Sequence, residues 1–327
     1  MQSISSICRR TLWFCCSYFL VCSVAVGQDD RTYSPTDPNL IGVEKSAGHK
    51  GAAPNYVIVD LPEKQLLHYY PELKSLVQAQ SQQDLTDLHK RVGANEIQLL
   101  NSVPGICADE DVVQEQLDKH GWVRGLPVFT GHYNYIVRSH SAGEGARLTE
   151  GRSDKNWQAI DPHVASGYSL VQDFALLPLH FHPLNQDAAN FRYLGRQVLN
   201  NRDDYVVAFA QQPQKAELLG TVRVNGVDVV VAYQGIAWID PENFQIARMR
   251  IDLLKARPDV GAETTETQFS EVRVPIVAKS FWLPSEAVVT RSAKDGALRE
   301  KHQFSDYRVF VQQKAVPAAP PGAEKPK

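Results

Sequence analysis

Two histidines one residue apart are the side chains best placed to do chemistry. His180-Phe181-His182 lies within Leu176-Leu-Pro-Leu-His-Phe-His-Pro-Leu184. Were that stretch extended, both imidazoles would project to one face and could give two ligands to a metal such as zinc. A third ligand would come from His163, His132 or Asp187, none of them singled out by spacing, and Pro178 and Pro183 argue against a regular strand. The pair is a weak metal candidate beside the plainer reading of two loop histidines among apolar neighbours, and the sequence assigns no metal and no cofactor. A serine hydrolase elbow is not supported, because Gly167-Tyr-Ser-Leu lacks the closing glycine of G-x-S-x-G. No phosphate-cradling glycine loop follows a strand. Glu150 and Asp154 are the kind of carboxylates a glycosidase sets across a sugar, but a chain with 37 Asp and Glu residues offers many such pairs. Cys107 has no CxxC partner and reads as a small buried apolar residue. No catalytic residue is expected.

Apolar side chains recurring every second residue offer binding instead. Tyr133 and Tyr135 share a strand face, as do Tyr205, Val207 and Phe209, and Val229, Val231 and Tyr233. Ala247, Met249, Ile251 and Leu253 oppose Arg248, Arg250 and Asp252, which predicts one apolar and one wet face. Tyr133, Tyr135, Phe209, Tyr233, Met249 and Ile251 are the candidates to line a ligand hollow of several hundred Å3, open at one end. Alternation alone does not separate that role from core packing.

The elements that must position these residues are mainly strands. Leu73, Leu76 and Val77 follow Pro71-Glu72 at helical spacing, and Leu85, Leu88, Val92, Ile97, Leu99 and Leu100 repeat it after Asp84, an expected N-cap. This predicts two short helices, the second interrupted or ended near Gly93. After Pro104-Gly105 the period becomes two. Strands are expected at 131–139, 146–152, 191–199, 205–211, 221–224, 227–239, 244–254, 265–276, 281–292 and 299–311, with a hairpin turn at Asn225-Gly226. The fold class is mainly β (α+β): one strongly curved antiparallel sheet in mostly sequential order, forming a half-open β-barrel. The short helices near the N-terminus pack on or lid its concave face.

Flanking segments set the context. Arg9 and Arg10, the apolar run Leu12–Val26 and the small residues before Gln28 have the order of a secretory signal cleaved near Gly27, too short to span a membrane. Val21 before Cys22 argues against lipidation. The expected division is a signal (1–27), a flexible lead-in (28–54), a single folded domain (55–313) and a disordered Pro/Ala-rich tail (314–327). After cleavage, 32 basic residues face 37 acidic ones and Cys107 is the sole cysteine, so no intrachain disulfide forms and nothing points to nucleic acid. The protein is expected to be exported, periplasmic or secreted.

Trp238-Ile-Asp-Pro-Glu-Asn-Phe-Gln-Ile-Ala-Arg-Met249, followed by Phe269-Ser-Glu-Val, Phe281-Trp-Leu-Pro-Ser-Glu and Phe304-Ser-Asp-Tyr-Arg-Val-Phe310, resembles the outer-membrane lipoprotein-sorting, or LolA/LolB-like, superfamily of periplasmic carriers. The likeness covers roughly residues 131–311. It implies a half-barrel enclosing acyl chains without catalysis. Two features depart from it: about 100 residues beyond a minimal carrier, and a segment from Asp154 to Asn190 with no counterpart. The expected function is a non-enzymatic, monomeric carrier or binding protein of the cell envelope for a lipid, a lipoprotein acyl chain or another apolar ligand, with an envelope protein as a further partner. The alternatives are a structural or interaction domain of the same fold without a ligand, and a metal-assisted hydrolase built on His180 and His182.

Overall fold

The computed structural model describes residues 56–142, 145–161, 173–224, 227–255, 262–274, 277, 279–293 and 295–310. The expected signal, lead-in and tail, His163 and the Asn225-Gly226 turn lie outside these residues. The described strands are β1 (Val77–Gln78), β2 (Ile106–Leu117), β3 (Phe129–Ala142), β4 (Gly145–Ser153), β5 (Ala189–Leu199), β6 (Arg202–Gln211), β7 (Gly220–Val224), β8 (Val227–Val231), β9 (Tyr233–Ile239), β10 (Ile246–Leu253), β11 (Glu263–Arg273), β12 (Ser280–Ala293) and β13 (Gly296–Val309). Eleven form one antiparallel sheet in the order β1-β5-β6-β9-β10-β11-β12-β13-β2-β3-β4, while β7 and β8 pair apart from it.

The sheet is sequential from β9 to β13, and then the chain's early strands continue it. β13 pairs with β2 from Ala297↔Leu117 to Val309↔Ile106. The sequence reading named no strand at 106–117, although this one joins the two halves of the sheet. Its inward positions carry Glu110 and Gln114 as well as Ile106, Ala108 and Val112, so its apolar alternation is broken. The expected single strand 227–239 is also two, divided at Ala232, with only β9 in the main sheet.

Helices account for the other departures. α1 spans Glu63–Tyr69, a 3-10 turn follows at Pro71–Ser75, and Val77 is in β1 rather than a helix. β1 lies against Gly195, whose φ of +135° and contact with the Val77 carbonyl leave no room for a side chain. α2 runs unbroken from Gln83 to Ser102. Gly93 does not end it; an added Cβ there would sit 3.0 Å from Gln186 Nε2 and 3.1 Å from Pro183 Cγ, so the glycine admits a neighbouring segment. Asp84 falls in the first turn, favourable to the helix dipole, and not at the N-cap.

Curvature follows from how α2 is tied down. At its start Gln82 donates through Nε2 to the Tyr193 carbonyl of β5 at 2.9 Å and accepts from the Tyr193 N–H at 2.7 Å. Near its end the Leu100 carbonyl accepts from the Ser139 hydroxyl of β3. The intervening helix is about 27 Å long, whereas β5 and β3 would stand roughly 38 Å apart in a flat sheet. The sheet curls around the helix. Its edges β1 and β4 do not pair with each other, which leaves the barrel half-open.

Both faces are covered. On the outer face Ile58, Leu66, Tyr70 and Leu73 pack on Val206, Ala208, Ile236 and Trp238. Of the two early helices, only α2 lies over the inner face. The wet face expected at Arg248, Arg250 and Asp252 is in part buried by this outer layer: Arg250 is 4% exposed and bonds Asp252 at 3.1 Å and Glu72 at 2.5 Å. No described helix is long and apolar enough to cross a membrane.

Candidate ligand-binding hollow

Strand register puts every expected lining residue on one face. Phe209 lies opposite Gly235, Ala237 opposite Met249, and Gly235 opposite Ile251. Tyr233 faces Leu253 on the next strand, and Tyr133 and Tyr135 face Glu110 and Ala108 across β2. All six side chains belong to the inner face, the one α2 covers. Tyr135, Phe209, Met249 and Ile251 are buried, while Tyr133 and Tyr233 are partly exposed.

Protein fills the space above them. After β4 the chain returns across the hollow as a 3-10 helix, Phe174–Phe181, and a short helix α3 (Pro183–Gln186). Phe174, Ala175 and Leu179 join Tyr135, Val137, Leu283, Ala287 and Phe304 in one apolar cluster. Phe181 joins Leu88 and Val92 of α2 with Phe209, Met249 and Ile251 in another. The segment from Asp154 to Asn190, without counterpart in the resemblance, thus supplies the filling. A separate cleft of about 380 Å3 lies at the sheet edge between β1, the start of α2 and β5, lined by Tyr193, Asp84, Arg196 and Asp203 among others; none of the six expected residues lines it.

His180 and His182 lie on this crossing segment, which is helical rather than extended, so the arrangement that would present both rings to one face is not formed. His180 is buried, stacks on Phe209 at 5.0 Å and meets Gln211 Nε2 through Nδ1 at 3.4 Å. Burial lowers its pKa to about 4. His182 instead accepts the Leu184 N–H at 3.3 Å and caps α3. His132 pairs with Asp111 at the surface. Among the described residues no group of three His, Cys, Asp or Glu side chains is arranged to hold a metal.

Sequence reasoning missed a buried polar string at the other end of the inner face. Arg152 donates through Nε and Nη2 to both oxygens of Glu110, at 2.5 and 2.6 Å. His302 bridges Glu110 and Glu300 at 2.7 Å each, and Gln114 donates to Glu300 at 2.7 Å. Burial would raise the Glu110 carboxyl, but Arg152 and His302 outweigh it and hold the pKa at about 2. Burial also opposes charge on His302, and its two carboxylate partners raise its pKa nevertheless. Glu150 accepts from the Tyr135 hydroxyl at 2.7 Å and from the N–H groups of Asp173 and Ala175 at 2.9 Å each. It clasps the start of the crossing segment, and burial, opposed by Arg152, lifts it to about 7. Asp154, its expected partner, instead caps the following loop. The signal available was a charged or amide residue at inward strand positions: 110 and 114, 150 and 152, 300 and 302.

No family model matches this chain, and no curated protein does. Several solved structures are similar to it, three of which follow. A DUF1329 family protein from Desulfovibrio piger is 11% identical with a TM-score of 0.38, over 70% of this chain and 92% of that one. A putative outer membrane lipoprotein-sorting protein domain from Vibrio parahaemolyticus gives 11% and 0.38, over 70% and 93%. A LolA superfamily protein from Nitrosomonas europaea gives 10% and 0.34, over 69% and 94%. Nothing about a ligand follows from likeness at this level.

Proposed function

We propose that the protein is an exported, non-enzymatic binding protein of the cell envelope that holds an apolar chain against the inner face of its half-barrel, acting as a monomer after removal of residues 1–27. The observation that carries this reading is the nature of the filling. The inner face is closed by an eight-residue 3-10 helix, Phe-Ala-Leu-Leu-Pro-Leu-His-Phe, a geometry uncommon beyond three or four residues. Its side chains are almost all apolar, and a ligand's acyl chain can replace them contact for contact once the segment swings out. Arg152, Glu110, His302 and Glu300 of the inner face are engaged with one another, which favours binding over conversion.

The second reading, an interaction domain of the same fold without a ligand, is favoured by the close packing of that filling. Native mass spectrometry with lipid extraction of the full chain recovered from a bacterial envelope decides between them. Co-purifying lipid, with a polypeptide mass lacking residues 1–27, is the expected result. A lipid-free protein that also takes up no added monoacyl lipid would overturn the carrier reading in favour of the interaction domain.

A further inference from the structure

Five buried side-chain polar atoms on the walls of the hollow have no hydrogen-bond partner among the described residues. Glu96 Oε2 and His89 Nε2 belong to α2. Glu96 falls on that helix's buried stripe between Val92, which packs in one apolar cluster, and Leu99 and Leu100, which pack in the other, and His89 meets Phe181 and Phe191 edge-on. Thr267 Oγ1, Gln114 Oε1 and Arg152 Nη1 belong to the inner face; Thr267 stands opposite Met249 on one side and Ala287 on the other. Glu96, Thr267 and Arg152 are each at least 96% buried. A folded protein leaves few such atoms unpaired, because each forfeits its bond to water. Here His89 and Arg152 lie against Phe181 and Phe174 of the crossing segment, and the side chains that segment offers are mainly Phe, Leu and Ala.

The walls also say what charge would fit. Arg152 is matched by Glu110, His302 lies between two carboxylates, and among the described residues Glu96 has no cation bonded to it. Burial holds the Glu96 carboxyl up at about 8, so it is neutral and able to donate. An anionic head would find both of these cations, Arg152 and His302, already matched by carboxylates.

We infer that the hollow takes an uncharged amphipathic molecule, an apolar body carrying hydroxyl, ester or amide groups along it, in preference to a plain hydrocarbon or an ionised fatty acid. This rests on the carrier reading above. Such groups pair with Glu96, Thr267 and Arg152 where the crossing segment leaves them bare.

The test titrates the full chain with 1-monopalmitoylglycerol, palmitate and hexadecane delivered from cyclodextrin, read by native mass spectrometry. The monoglyceride is expected to bind at least tenfold more tightly than either of the others. Its advantage over hexadecane is expected to shrink several-fold in Glu96→Leu and in Thr267→Val. Both variants remove an unpaired polar atom and are expected to fold at least as stably as the parent, which thermal unfolding verifies. Palmitate or hexadecane binding as tightly as the monoglyceride, or an advantage unchanged in both variants, overturns the inference and leaves the carrier reading standing. Binding of none of the three overturns both.

Discussion

Arg152 and Glu110 are both buried and bonded twice to each other, so removing one leaves the other's charge without a partner in the interior. Arg152→Leu is expected to cost about 3–5 kcal/mol in urea unfolding, and adding Glu110→Leu to recover most of it. A double variant no more stable than the single one would show that the pair is not the source of the loss. Glu96 governs a different response. Its folded pKa of about 8 lies above the ordinary carboxyl value of 4.5, so the folded state binds the proton more tightly. The resulting stability is complete below pH 4.5 and is lost as pH rises toward 8, by up to about 1.4 kcal/mol per pH unit. Glu150, at about 7, has the same sign, and Glu110 the opposite one below pH 4.5. Glu96→Gln is expected to lose markedly less stability than the parent between pH 5 and pH 8, and parallel curves would place the titration elsewhere. The shared face of Tyr133, Phe209 and Met249 was legible because alternation is a local property. The string from Arg152 to Gln114 was not, because its members sit on β4, β2 and β13 and meet only once β13 pairs with β2.

The crossing segment depends on few ties at its start: the N–H groups of Asp173 and Ala175 both end on Glu150. Glu150→Ala is expected to speed amide exchange across Phe174–Phe181 at least tenfold while the strands keep their protection. Equal acceleration throughout would mean that the segment opens only with the whole domain. Gly93 is the second control point, since α2 meets Pro183 and Gln186 there. Gly93→Val is expected to make the same segment more sensitive to protease, read by the site of first cleavage. Most strands could be read from the sequence, since each is bounded by turn residues and alternates. The apolar run Leu176–Leu184 could not be resolved between strand and loop, because Pro178 spoils the first and nothing in the run shows that it lies over a curled sheet. The same blindness made Gly93 look like a helix end.

At the scale of the molecule, the sheet closes on itself in sequence rather than in space: Gln114 and Glu300, bonded side chain to side chain, are 186 residues apart. Contacts at such separation slow folding, because the chain is ordered before they form. Refolding from urea is expected to take seconds or longer. A chain ending at Asp295 is expected to leave β2, β3 and β4 without exchange protection and to bind a hydrophobic dye; protected amides in those strands would show that they fold without β13. The half-barrel class was legible from strand number and turn spacing, whereas the β13–β2 seam was not, because nothing in either strand's own composition names its partner. That seam also sets a timetable for synthesis. Until β13 has left the ribosome, β2 to β4 lack the neighbour that joins them to the rest of the sheet, so this part of the fold is completed only when the chain is almost fully made. For the exported protein proposed above, that late seam leaves three strands unlocked while the chain still has to pass through a narrow channel.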